Sequence, residues 1–193
     1  MMVLKTIKTK LKTAMKNILM IGLMLLSQLS FAQKVISTNS STKFFSSATL
    51  EDITATTTKG KSVVDLSNGK IGFSIPIKSF EFAKSLMQEH FNEKYLESEK
   101  FPKATFSGQI ENWENNMSIE KAVASGSLTI HGVSKELKSE GSVMFTKSKL
   151  VITAKFNVRL EDFDVEVPSL MFQKIAEVVE VTVTYEYPID EQQ

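Results

Sequence analysis

Four stretches of this chain alternate apolar and polar side chains with a period of two, and that alternation decides the fold class. Ile71, Phe73, Ile75 and Ile77 are separated by Gly72, Ser74 and Pro76. Ala122, Ala124, Gly126, Leu128 and Ile130 form a second face. Leu150, Ile152, Ala154, Phe156 and Val158 form a third, and Val179, Val181, Val183, Tyr185 and Tyr187 a fourth. Side chains two apart on a strand point the same way, so each run has one face for a core and one for water. A single wet face is the mark of antiparallel sheet. Turn chemistry punctuates the runs. Ser67-Asn68-Gly69 is the strongest signal, because Asn-Gly takes the positive φ angles of a tight hairpin. Lys59-Gly60, Asn115-Asn116 and Lys147-Ser148-Lys149 read as further turns, and His131-Gly132 as a strand end where glycine relieves the backbone. Strands at hairpin spacing imply a closed barrel or a sandwich, and the alternation alone does not separate the two.

One segment has a different period. Ala83, Leu86, Met87, Phe91 and Tyr95 recur at helical spacing, with Glu89, Glu93 and Glu97 four apart as a solvated acidic stripe. Pro102 pushes Phe101 out of the helical region, so the helix is expected to end before it.

Residues 1–32 read as a cleaved secretory signal. Lys5, Lys8, Lys10, Lys12 and Lys16 make a basic n-region without an acid, Ile18 to Leu29 an apolar h-region, and Ser30-Phe31-Ala32 a small-residue cleavage site before Gln33. Met15-Lys16-Asn17 would itself open a signal peptide, so residues 1–14 precede a second possible start. The apolar run is too short and too interrupted to span a bilayer well, and no stable membrane anchor is expected. Residues 33–193 then form one domain with 18 basic and 22 acidic residues, a net charge of −4. That balance disfavours nucleic acid and anionic membrane surfaces as partners. There is no cysteine, so neither disulfides nor an acylated cysteine is available, and the core must supply the stability. The expected product is periplasmic or secreted.

Several segments carry a family resemblance by their order and spacing. They are Lys78-Ser79-Phe80-Glu81-Phe82, the helix from Leu86 to Leu96, Phe101-Pro102-Lys103-Ala104-Thr105-Phe106, and Leu128-Thr129-Ile130-His131-Gly132-Val133-Ser134-Lys135. Ala154-Lys155-Phe156-Asn157-Val158 and a last valine-rich strand follow. From about Gly69 to Tyr187 the chain resembles the YceI family of exported, lipocalin-like bacterial proteins. The resemblance implies an all-β fold, an antiparallel eight-stranded lipocalin-like barrel with one inserted α-helix, over residues 33–193. It also implies a long apolar cavity for a polyisoprenoid, an isoprenoid quinone or a fatty-acid derivative. Family members are often linked to stress. Many open with a His-Ser pair and a second histidine; Thr42-Lys43-Phe44-Phe45-Ser46 has neither, which puts in doubt any head-group contact those histidines make.

Within that resemblance the candidate lining residues are Phe73, Ile75, Phe80, Phe82, Leu86, Met87, Phe91, Phe106, Leu128, Ile130, Phe156 and Phe163. The same side chains would equally fill a dry core. A buried tail covering several hundred Å² would gain on the order of 10 kcal/mol before association costs, with no catalytic group needed. The expected function is therefore non-enzymatic transport or storage of a long apolar molecule, with the helix as a lid and no cofactor. Two alternatives stand beside it: a barrel enzyme acting on a lipid, with His131 and a nearby carboxylate as acid–base pair, and an interaction protein with a filled core. His90 and Glu93 share a helical face, but two ligands do not make a metal site. No serine nucleophile motif or phosphate loop is present. Trp113 is read as a shield at one barrel end. Whether a second copy pairs with the chain as a homodimer is left open.

Overall fold

A computed structural model describes residues 33–47, 52–166 and 176–189. The leader expected over residues 1–32 lies outside the described residues. Eleven strands form one antiparallel sheet: β1 (Lys34–Ile36), β2 (Asn39–Ser46), β3 (Ile53–Thr57), β4 (Lys61–Asp65), β5 (Lys70–Pro76), β6 (Glu81–Phe82), β7 (Lys103–Ile110), β8 (Ile119–Ile130), β9 (Val133–Phe145), β10 (Lys149–Arg159) and β11 (Val178–Pro188). The sheet order is β1-β4-β5-β7-β8-β9-β10-β11-β2-β3-β6.

The expected count of eight is recovered once two bends are recognised. β1 and β2 run in one direction, broken at Ser37-Thr38, and β3 and β4 run in the other, broken at Thr58–Gly60. β1 pairs with β4 (Ile36 opposite Val63) and β2 with β3 (Thr42 opposite Thr57), so these are two long strands side by side. With β6 set apart as a two-residue ribbon, eight long strands remain. β2 also pairs with β11, Thr42 opposite Val183, which closes the sheet on itself. Closure covers most of the sheet edge, leaving β1 and the short β6 as its terminal strands. Lys59-Gly60, expected to be a turn, therefore bends a strand without reversing it.

All four alternating runs face inward. Val64, Ile71, Leu128, Ile152, Phe156, Val183, Tyr185 and Tyr187 are buried in one core. The closing seam is pinned by a relay of hydroxyls. Tyr187 Oη donates to Ser62 Oγ at 2.7 Å, Ser62 Oγ donates to the Gly72 carbonyl at 2.8 Å, and Ser62 N donates to Ser37 Oγ at 2.9 Å. Each polar atom of this relay thereby gains a partner.

The two barrel ends differ. At the lower end the β4–β5 turn is tied by Asp65, whose carboxylate accepts from Ser67 N at 3.0 Å, Ser67 Oγ at 2.6 Å and Asn68 Nδ2 at 3.2 Å. Those donors, the Ser67 hydroxyl first, hold its carboxyl below the usual range. Trp113 covers this end, its indole N–H donating to the Leu66 carbonyl at 2.8 Å and its ring 5.8 Å from Phe145. The upper end carries the long β5-to-β7 connection: a 3-10 turn (Ile77–Ser79), β6, helix α1 (Ser85–His90) and a π turn (Phe91–Tyr95). Among the described residues no helix is long and apolar enough to cross a membrane.

Candidate functional site

β7 and β8 explain why only half of the barrel is open. Phe106 faces inward from β7, and Gly108 and Gly126 face each other across the β7–β8 ladder. A Cβ added to either glycine would lie under 3.0 Å from the Phe106 ring, so that ring occupies the space the glycines leave. Phe106 stacks on Phe73 at 5.3 Å, and Phe73 on Tyr185 at 6.0 Å. This aromatic layer is a floor. Below it only about 40 Å³ remains, lined by Ala122, Ala124, Gly141 and their neighbours. The small residues of β8 thus accommodate Phe106 rather than a long cavity.

Above the floor lies a chamber of about 130 Å³. All the sequence-nominated residues except Leu86 and Phe106 line it: Phe73, Ile75, Phe80, Phe82, Met87, Phe91, Leu128, Ile130, Phe156 and Phe163. Two placements correct the sequence reading. Leu86 is 60% exposed on the outer side of α1, because Met87 takes the inward position one residue on. Phe106 sits beneath the chamber as part of its floor. The wall also includes residues the sequence reading did not nominate, among them Thr42, Phe44, Ser46, Ile53, Val179 and Val181. Phe44 had a signal, but it adjoins Phe45, and the pair hides which phase of β2 points inward.

Phe44 is where the lid meets the barrel. Its ring lies 5.6 Å from Phe80, 5.6 Å from Phe82 and 5.5 Å from Phe91. Phe91 in turn lies 5.0 Å from Phe82 and 5.6 Å from Phe80. Three lid rings therefore close on one barrel ring, each pair contributing about 0.5–1.5 kcal/mol beyond area burial. The lid covers a split in the wall. β4 and β5 stay paired as far as Lys61 opposite Ser74, above which β3 pairs with β6 through Ala55–Phe82 and Thr56–Glu81. A side-chain hydroxyl contact crosses this junction between Thr57 and Ser79 at 2.7 Å. Helix α1 has six residues, none of them fully buried. A helix that short is held by tertiary contacts, not by its own propensity.

His131 fastens the far end of the lid. It occupies the β8–β9 hairpin with φ of 51°, beside Gly132 at 78°, the paired positive angles of a tight hairpin. Its Nε2 lies 2.9 Å from Glu97 Oε2, and its Nδ1 lies 3.2 Å from the Phe163 carbonyl. Phe101 packs edge-on against the ring at 4.5 Å. The carboxylate partner foreseen for His131 is thus present, and Glu97 leaves the solvated stripe to provide it. Both ring nitrogens face acceptors, and His131 does not line the chamber, so the pair works as a clasp between segments. Lys78 and Glu99 form a surface ion pair within the same lid. Among the described residues no three His, Asp or Glu side chains come together as a metal would require.

Among the described residues no charged side chain lines the chamber, and the surface it presents is apolar throughout. Such a wall recognises apolar surface and shape, not charge.

The profile of the YceI-like domain matches residues 33–187. No curated protein matches the chain. Solved structures share its fold. A polyisoprenoid-binding domain from Saccharophagus degradans, implicated in plant cell wall breakdown, has a TM-score of 0.67 at 16% identity, covering 80% of this chain and 97% of its own. BcnA of Burkholderia cenocepacia has a TM-score of 0.62 at 16% identity, covering 78% and 96%. A YceI protein of Campylobacter jejuni has a TM-score of 0.54 at 18% identity, covering 85% and 88%.

Proposed function

The chain belongs to the YceI-like domain family, and we propose that its barrel binds the tail of a long apolar molecule in the chamber beneath the lid. The observation that carries this reading is the wall itself: an interior closed below by the Phe73–Phe106–Tyr185 layer and left open above it, with no charged side chain among the described residues that line it. The fold shared with the polyisoprenoid-binding domain of Saccharophagus degradans supports it. The ligand classes in view are a polyisoprenoid, an isoprenoid quinone and a fatty-acid derivative. The protein carries or stores the ligand and performs no chemistry on it.

Size sets a condition on this function. A chamber of about 130 Å³ compares with the ~150 Å³ cavity that takes one benzene. A long tail therefore needs the lid to withdraw, and the ring cluster around Phe44 is what must part. We place the working protein in the periplasm or outside the cell, after cleavage before Gln33.

The full chain expressed in a bacterium, purified without detergent and examined by native mass spectrometry tests both statements. The expected result is a polypeptide beginning at Gln33 that carries one prenyl or acyl compound, identified by lipid extraction. A protein that emerges empty and takes up no added quinone, polyprenol or fatty amide would leave the interior as a dry core.

A further inference from the structure

His131 is held from two sides by oxygens that accept hydrogen bonds. Glu97 Oε2 lies 2.9 Å from its Nε2, and the Phe163 carbonyl lies 3.2 Å from its Nδ1. A neutral imidazole has one N–H, whichever tautomer it takes. One of the two contacts then sets a ring lone pair against an oxygen. The imidazolium donates at both. Imidazole is the side chain that changes charge between about pH 5 and 8.

The three segments that meet at this ring also build the chamber. Tyr95 and Leu96 of the lid, Leu128 and Ile130 of β8, and Phe163 of a second 3-10 turn (Leu160–Phe163) all line it. The His131 side chain is only 11% exposed. The charges around it come from each neighbour. On the lid, Lys100 Nζ lies 3.9 Å from the same Glu97 oxygen and 4.8 Å from the centre of the Phe101 ring that packs on His131. On the 3-10 turn, Asp162 and Asp164 flank Phe163 and are exposed, while Glu161 pairs with Arg159. On the hairpin itself, Lys135 is exposed. A neutral His131 therefore leaves Glu97 to Lys100, and the end of the lid loses its tie to the barrel.

We propose that His131 is a proton-operated latch, a positioning residue that holds the lid shut when protonated and frees its end when neutral. The latch rests on the apolar-ligand reading above and adds regulation to it: acid slows ligand exchange and base speeds it. The sign follows from linkage. The closed clasp, with two acceptors for two N–H groups, favours the protonated ring, so its extra hold is present at low pH and lost as pH rises.

The test follows dissociation of N-phenyl-1-naphthylamine from the delipidated protein at about pH 5.5 and about pH 8.5, either side of the imidazole range. The wild type is expected to release the dye about fivefold more slowly in acid, the worth of one net hydrogen bond at a partly exposed site. His131→Asn, a residue that tolerates the same positive φ, should release it fast at both. Glu97→Gln should release it slowly at both, because its amide donates to the bare nitrogen of a neutral ring and accepts from a charged one. Hydrogen-exchange protection factors of the Leu96, Ser98 and Phe101 amides, which are bonded within the lid, read the latch without any ligand and should fall by the same factor as pH rises. Equal rates and equal protection at the two pH values in the wild type overturn the latch. So does a pH dependence that persists in His131→Asn, which would belong to His90, the only other histidine. Failure of the dye to bind at either pH removes the apolar-ligand reading, and the amide protection then decides the latch by itself.

Discussion

Phe106 sets the depth of the chamber, and its replacement separates packing from binding. Phe106→Ala should lower stability by about 3–5 kcal/mol, because the ring fills space against Gly108 and Gly126 that backbone cannot reclaim. It should also join the chamber to the void beneath it, so that the chain length giving tightest binding increases. Urea unfolding reads the first effect and a series of n-alkanols the second; an unchanged optimum would place the end of the tail above the floor. The tyrosines yield a second expectation. Burial pushes the Tyr185 phenol up to about 12, and Tyr187 further in the same direction. The neutral phenol is favoured in the fold, so the unfolded chain ionises first. Stability contributed at neutral pH is then lost as pH rises from the ordinary phenol value of 10.0 toward 12, by about 3 kcal/mol for Tyr185 alone. Phenolate absorbance should rise together with unfolding rather than ahead of it, and an earlier rise would mean the phenols are not sequestered. At this scale the sequence exposed residues whose side-chain phase was unambiguous. Phe73 and Phe156 sit in clean alternations. Phe44 does not announce itself, because it adjoins Phe45 and either ring could take the inward phase of β2.

The lid is the element on which access depends. Its helical spacing was visible in Met87, Phe91 and Tyr95, all of which face the chamber. The termination at Tyr95 followed by a left-handed Glu97, with φ of 40°, was not. That turn is stabilised by His131, thirty-four residues away in sequence, and no local pattern encodes it. Lys59-Gly60 misled for a related reason: Gly-containing pairs mark bends as well as reversals, and only the pairing of β3 and β4 with neighbouring strands distinguishes them. The split beside β6 permits a direct test of gating. Thr56 and Glu81 are register partners on the outer face, and paired strand positions lie within the Cα separation a disulfide accepts. The chain has no other cysteine. The double variant Thr56→Cys, Glu81→Cys should, when oxidised, take up a long-chain ligand at least tenfold more slowly than when reduced. Equal uptake rates in the two redox states would mean that β6 is not part of the way in. By contrast Leu86→Gln, on the exposed side of α1, should change stability by less than about 0.5 kcal/mol.

For the whole molecule the alternation of four runs was enough to foresee an antiparallel all-β fold, the family resemblance chose the barrel over the sandwich, and the distribution of empty space inside it was legible in neither. A core and a pocket draw on the same residues. The difference lies in how large side chains from separate strands meet: Phe106 over two glycines below, Phe44 under three lid rings above. The space between them has a thermodynamic consequence. At about 24 cal/mol per Å³ of cavity, a chamber of about 130 Å³ costs the free protein about 3 kcal/mol in a barrel with no disulfide to offset it. A ligand that fills the chamber removes that deficit and binds the folded state alone. At a hundred times its Kd it should add about 2.7 kcal/mol, which in a domain of this size raises Tm by roughly 5–10 °C. Delipidated protein should therefore melt lower than the same protein reloaded with the compound extracted from it, and the shift should grow with the logarithm of ligand concentration. Sodium chloride should leave the shift nearly unchanged, since no described residue of the chamber wall carries a charge to screen. Superimposable melts with and without ligand would mean that the chamber is a packing defect the fold tolerates. A shift that collapsed in salt would move the binding site to the charged outer surface.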